Sequence, residues 1–157
     1  IGENLIINDL KVFDNKEASV NYYIHNPYRK NIGKIVSAVF YSSEEESDEV
    51  KFFSKNLCMH IAASSPKSLS ESDLDIKIIE DEKNIIKEQL KDSGKPENII
   101  EKMIDGKIKK FFEDSVLLNQ KYVMDPSISV NNFLKDYSNT NGVDIQIDKF
   151  IRFELGE

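Results

Sequence analysis

Ile76–Asp92 (IKIIEDEKNIIKEQLKD) passes through Ser93-Gly94-Lys95-Pro96 into Glu97–Phe112 (ENIIEKMIDGKIKKFF), and the reading of this stretch decides the architecture. Ile79, Ile86 and Leu90 in the first part recur at helical spacing, as do Ile100, Met103, Ile104, Ile108 and Phe111 in the second. Gly94 can adopt the left-handed conformation that ends one helix, and Pro96 suits the first turn of the next. So short a connection forces an antiparallel helical hairpin. Helices of this length are marginal alone. The hairpin is therefore expected to be an arm that packs on something, with Ile79, Ile86, Leu90, Ile100, Ile104 and Ile108 as its packing or oligomer surface.

Upstream of the arm the period changes. Leu5–Phe13, Ala18–His25 and Ile32–Tyr41 alternate and are rich in β-branched and aromatic residues, which predicts three strands in an antiparallel meander. Asp14-Asn15, Asn26-Pro27 and Gly33 supply turn chemistry between them. In the second strand Val20, Tyr22 and Ile24 share a face suited to a core, opposite Ser19, Asn21, Tyr23 and His25. Val50, Phe53, Leu57 and Ile61 then predict a helix over the sheet, begun at Ser43 or Ser47 and closed by Pro66. Beyond the arm, Asp125-Pro126 breaks the chain. Val130, Phe133, Leu134 and Tyr137 mark a short helix, and Asp144–Leu155 a final strand with Ile145, Ile147, Ile151, Phe153 and Leu155 on one face. The expected class is α+β: an antiparallel sheet of a three-strand meander plus a C-terminal strand, packed with helices. Residues 1–75 and 113–157 form the core, and 76–112 form the inserted hairpin.

With 157 residues and 18.1 kDa, the chain fits one compact domain or a core with a small appendage. Its 21 basic and 28 acidic residues leave a net charge of −7, the wrong sign for a broad phosphate-gripping face, so direct nucleic-acid binding is disfavoured. No uncharged stretch approaches the ~20 residues of a membrane span. The lone Cys58 cannot form an internal disulfide, which suits a reducing, cytoplasm-like compartment. The first residue is Ile1 and not Met, which suggests a processed product or a piece of something longer.

Chemistry-bearing patterns are sparse. The six glycines are scattered and build no phosphate-cradling loop. Cys58 and His60 lie two apart on a helix, roughly 200° around its axis, and cannot share a substrate or an ion; a buried thiol and a polar-edge imidazole explain them better. With two histidines and one cysteine, a zinc site is not expected, nor any other metal or cofactor. Asp73 with Asp75, and Glu80 with Asp81, read as helix-terminus charge, and Lys107, Lys109 and Lys110 as a solvated helix face. His25 follows Tyr22-Tyr23-Ile24 beside Asn26-Pro27 and Tyr28. Exposed aromatics with an imidazole can form a protein-binding patch, although a plain surface histidine is the commoner outcome. No catalytic constellation emerges, so a binding module is expected and not an enzyme.

Cys58-Met59-His60-Ile61-Ala62-Ala63-Ser64-Ser65-Pro66 closely resembles the helix of the elongation factor Ts family that ends in His-(Ile/Val)-Ala-Ala-Ser-x-Pro. Ser93-Gly94-Lys95-Pro96 with Glu101–Phe111 is similar to that family's hairpin signature. Tyr122–Ser127 and Phe150–Glu157 resemble its later motifs, and Ile1–Leu5 the run that opens the second half of its core, so the resemblance reaches from the first residue to the last. It implies a guanine-nucleotide exchange factor for elongation factor Tu, with these residues supplying the second half of the dimerisation region and its coiled-coil insertion. It places contacts to the third domain of elongation factor Tu on Ile1, Gly2 and His25, and allows a homodimer. The location implied is the bacterial cytoplasm, or an organellar matrix. The family's N-terminal three-helix domain and its Thr-Asp-Phe-Val motif, which disturbs the nucleotide site, have no counterpart in these residues. The expectation is weak binding of elongation factor Tu without accelerated GDP release by these residues alone. The alternative is a structural or oligomerisation module.

Overall fold

In the computed structural model, which describes residues 6–13, 18–44, 46–91 and 93–156, β1 (Ser19–Arg29) and β2 (Ile32–Ser43) form an antiparallel hairpin turned at Asn31, φ 65°. β5 (Ile145–Glu154) pairs antiparallel with the other edge of β2, giving the order β1-β2-β5. Two short strands, β3 (Lys121–Tyr122) and β4 (Asp125–Ser129), form a separate hairpin. With four α-helices, the α+β class is borne out.

The expected first strand is not formed. Residues 6–13 take no strand conformation, and Ile6, Ile7, Leu10 and Val12 stay exposed. Strand propensity without a ladder partner makes no strand. Phe13 instead packs on Phe40, ring centroids 5.0 Å apart. The turn pair Asp14-Asn15 lies outside the described residues.

α1 (Asp48–Ser64) starts where Ser47 accepts from the Val50 N–H, and it ends where Ser65, left-handed at φ 45°, donates to the Ile61 carbonyl just before Pro66. Of the two expected starts, Ser47 is the observed cap. Val50, Phe53, Leu57 and Ile61 are fully buried against β2 and α4 (Val130–Asn141), where Phe53 stacks on Phe133 at 5.0 Å and Phe133 on Tyr122 at 4.0 Å.

The faces of β1 are reversed from the expectation. Asn21 and Tyr23 face α1: the Asn21 amide donates to the Lys51 carbonyl at 2.8 Å and to Ser54 Oγ at 3.0 Å, while Tyr23 packs on the core. Val20 and Tyr22 are left 53% and 52% exposed on the outer face. A bulge between Phe40 and Tyr41 makes Asp148 the extra residue on β5. Ile145 and Ile147 therefore point to the core, while Ile151 and Phe153 sit opposite Ala38 and Val36 on the outer face; the single-face expectation for this strand fails at the bulge.

α2 (Ile76–Leu90) and α3 (Glu97–Ser115) pack against each other as the predicted hairpin, with Gly94 left-handed at φ 64°. Their seam buries Ile86, Leu90 and Ile108, flanked by Ile100, Met103, Ile104 and Phe112, a cluster separate from the main core. Phe112 takes the place expected for Phe111, whose ring instead lies 5.4 Å under the Lys67 ammonium.

Candidate partner-binding groove

His25 stands on the helix-facing side of β1 and remains exposed, and its Nδ1 lies 3.2 Å from the Tyr23 hydroxyl. Both residues border a groove of about 450 Å³. Its floor is Ile35 and the face of α1 that carries Met59, Ala62 and Ala63. One wall is the two-residue turn Val123-Met124 between β3 and β4, and the other carries Arg152 and Glu154 of β5. The lining is mainly apolar, with an imidazole, a phenol and an ion pair at its margins. Such a surface suits an apolar protein segment flanked by polar groups better than a small polar substrate.

The charged margin is tethered. Arg152 pairs with Glu154, and its Nε donates to the Ala62 carbonyl at 3.5 Å, fixing β5 against the last turn of α1. The opposite wall is tethered from beneath by His60. That residue is fully buried and not at a polar edge as expected from sequence: its Nδ1 accepts from the Val123 N–H at 3.1 Å and its Nε2 lies 2.9 Å from Gln120 Oε1. Burial, partly offset by the Gln120 contact, lowers its pKa below the ordinary imidazole value. Val123 and Met124 entered the sequence reading within the Tyr122–Ser127 motif and not as candidate site residues. The available signal was two apolar residues, 43% and 53% exposed, in a turn where polar residues are usual.

Cys58 is no nucleophile. It is fully buried, its thiol donates to the Asn21 carbonyl at 3.3 Å, and burial pushes its pKa up to about 12. No group of three His, Cys, Asp or Glu side chains converges in metal-binding geometry among the described residues. No described helix is long and apolar enough to cross a membrane. Ile1 and Gly2 lie outside the described residues, so His25 is the residue of the expected contact set that the structure positions. Of the expected hairpin surface, Ile86, Leu90 and Ile108 are buried in the seam, Ile100 and Ile104 are half-buried beside it, and Ile79 is half-buried.

A family profile described as Elongation factor TS matches residues 1–157. The protein called Elongation factor Ts in Rickettsia bellii (strain OSU 85-389) is 39% identical over 158 residues, covering 100% of this chain and 51% of the relative. Its namesakes in Rickettsia akari (strain Hartford) and Rickettsia felis (strain ATCC VR-1525 / URRWXCal2) are 38% and 37% identical with the same coverage. The chain spans about half the length of the curated relatives it matches.

Proposed function

This chain belongs to the elongation factor Ts family, and from that membership we propose that it is a non-enzymatic part of a guanine-nucleotide exchange factor that binds elongation factor Tu. The observation that carries this reading is the apolar groove beside His25, which offers a docking surface without any arrangement of groups suited to making or breaking bonds. An exchange factor needs no such arrangement. It works by binding the nucleotide-free state of its partner better than the GDP-bound state, and that difference in affinity lowers the affinity for GDP by linkage.

In this reading His25 and the groove contact the third domain of elongation factor Tu, together with Ile1 and Gly2. Residues 76–112 act as an inserted arm on a core made of 1–75 and 113–157. The bacterial relatives support the bacterial cytoplasm as the compartment. The test is calorimetric titration of the 157-residue chain into nucleotide-free elongation factor Tu, beside the His25→Ala variant. Measurable affinity that falls in the variant is the expected result, and equal affinity would refute the contact. A second arm follows release of labelled GDP, where these residues alone are expected to be slower than a full-length factor.

Self-association is the second reading, favoured by the outer face of the sheet. Val20 and Tyr22 stand exposed there beside half-buried Ile24, Val36, Ile151 and Phe153. A homodimer formed through this face would leave the groove on the opposite side of the sheet free.

A further inference from the structure

The turn that walls the groove is held by a side chain 63 residues earlier in sequence. A backbone N–H can only donate, so Nδ1 of His60, which accepts from the Val123 N–H at 3.1 Å, carries no proton, and the neutral ring bears its proton on Nε2. Gln120 is oriented to receive that proton. Its amide nitrogen is committed to the Ser64 and Asp114 carbonyls at 3.2 and 2.8 Å, which leaves Oε1 facing Nε2 at 2.9 Å. The imidazole is wholly buried on α1, between Met59 and Ala62 of the groove floor, and its ring lies 5.9 Å from that of Tyr122 in β3. β3 has two residues and the turn two; Tyr122, stacked on Phe133 in the core, anchors the strand, and the His60 bond is the tie that reaches the turn itself at Val123.

From this juxtaposition we propose that His60 is a positioning residue for partner binding: through Val123 it sets the turn so that Val123 and Met124 form a wall of the groove that His25 borders. The proposal rests on the groove being the docking surface, whereas the setting of the turn can be measured without any partner.

Two substitutions separate the roles of the ring nitrogens in the 157-residue chain. His60→Asn puts an amide oxygen where Nδ1 accepts but cannot reach Gln120; His60→Gln keeps a donor toward Gln120 and loses the acceptor. Both leave a void and lower the unfolding midpoint, so they are compared well below the lower one. Hydrogen exchange at the Val123 amide should be about tenfold faster in His60→Gln than in His60→Asn, with the α1 amides alike, as expected for one lost hydrogen bond. Affinity for nucleotide-free elongation factor Tu should be about threefold to tenfold weaker in His60→Gln, with His60→Asn close to the unsubstituted chain. Equal Val123 exchange in the two variants, or equal affinity despite unequal exchange, would overturn the proposal. If neither variant folds, imidazole nitrogen chemical shifts of the unsubstituted chain decide: an Nε2–H tautomer is expected, and an Nδ1–H tautomer overturns it. His25→Ala measured in parallel tells the two readings apart. Unchanged affinity there means that the groove is not the docking site, while Val123 exchange still reports whether His60 sets the turn.

Discussion

The Ser37 hydroxyl donates to the Cys58 carbonyl at 2.6 Å, joining the middle of β2 to the middle of α1 at a point where both residues are fully buried. The helix carbonyl still has its intrahelical partner when the hydroxyl is removed, so the loss is that of a single buried hydrogen bond. Ser37→Ala should lower stability by about 1 kcal/mol. Ser37→Val adds volume to the same closed site and should cost about 1–3 kcal/mol instead. Urea unfolding of the two variants checks the order, and a Ser37→Val chain more stable than Ser37→Ala would contradict it.

Cys58 should be inert in the folded chain. Its thiol is buried, bonded to the Asn21 carbonyl, and held with a pKa of about 12, so the reactive thiolate is almost absent at pH 8. A colorimetric disulfide reagent should label it at the rate of unfolding and no faster. Raising the pKa above the ordinary thiol value means that the fold prefers the protonated form. This contribution is intact below about pH 9 and is lost as pH rises toward 12. Rapid labelling in native buffer would show that the α1–sheet interface opens locally.

His60 titrates in the opposite sense. Burial disfavours its charged form, and protonation at Nδ1 would turn the acceptor for Val123 into a second donor facing a donor. The unfolded chain therefore binds a proton more readily, and stability rises with pH across the imidazole range. The contribution is fully present above about pH 6.5 and is lost as pH falls from there toward the lower folded-state value. The pH slope of unfolding free energy between 6.5 and 5 should be smaller in His60→Asn, since Gln120 and Tyr122, its neighbours, do not titrate there. Identical slopes would mean that the native ring is already solvated.

The helices, the hairpin and the final strand were legible because their apolar residues repeat locally: the spacing Val50, Phe53, Leu57, Ile61 needs no knowledge of what it packs on. The faces of β1 were not. Asn21 and Tyr23 turn inward because α1 offers them a carbonyl, a hydroxyl and an apolar surface, and those partners lie 30 or more residues away. The bulge at Asp148 was hidden for a similar reason. Apolar residues fall at odd numbers from Ile145 to Leu155 with Lys149 as the one interruption, and the change of face comes from register against β2. The groove was half legible: His25 stood out as an imidazole among aromatics, but the Val123-Met124 wall depends on His60, Gln120 and Val123 meeting across long separations.

Gly33 should be irreplaceable for a reason unrelated to turn conformation. A Cβ there would lie 2.3 Å from Cγ2 of Ile24 and 2.7 Å from the His25 carbonyl oxygen. The side chain could rotate away, but the carbonyl belongs to the β1 backbone, so Gly33→Ala must push the β1–β2 hairpin apart at His25. A loss of about 1–3 kcal/mol is expected, with chemical-shift changes centred on Tyr23, His25 and Ile35. Shifts confined to the tip of the hairpin at Lys30 and Asn31 would mean that the strand pair yields elsewhere.

The outer face of the sheet gives the two readings of this chain different consequences. Tyr22 is 52% exposed there and sits opposite Ala38, whose face is apolar from Val20 to Phe153. Phe40 is covered by Phe13 at 5.0 Å and by the Lys149 ammonium at 4.5 Å, and the Lys11 ammonium lies 5.2 Å over the Phe153 ring, so the β2–β5 side of the face is partly shielded and the β1 side at Val20 and Tyr22 is open. Tyr22→Lys removes an aromatic anchor and adds a charge that a buried interface would have to desolvate, at a cost of several kcal/mol. On the folded monomer the same change meets solvent and should alter stability by less than about 0.5 kcal/mol. Sedimentation velocity over a concentration series should therefore show any dimer of the unsubstituted chain dissociating in Tyr22→Lys. Affinity for elongation factor Tu should stay unchanged, because Tyr22 and His25 lie on opposite faces of β1. A variant that stays dimeric would move self-association off this face, and one that loses elongation factor Tu would place the docking surface on the outer sheet and not in the groove.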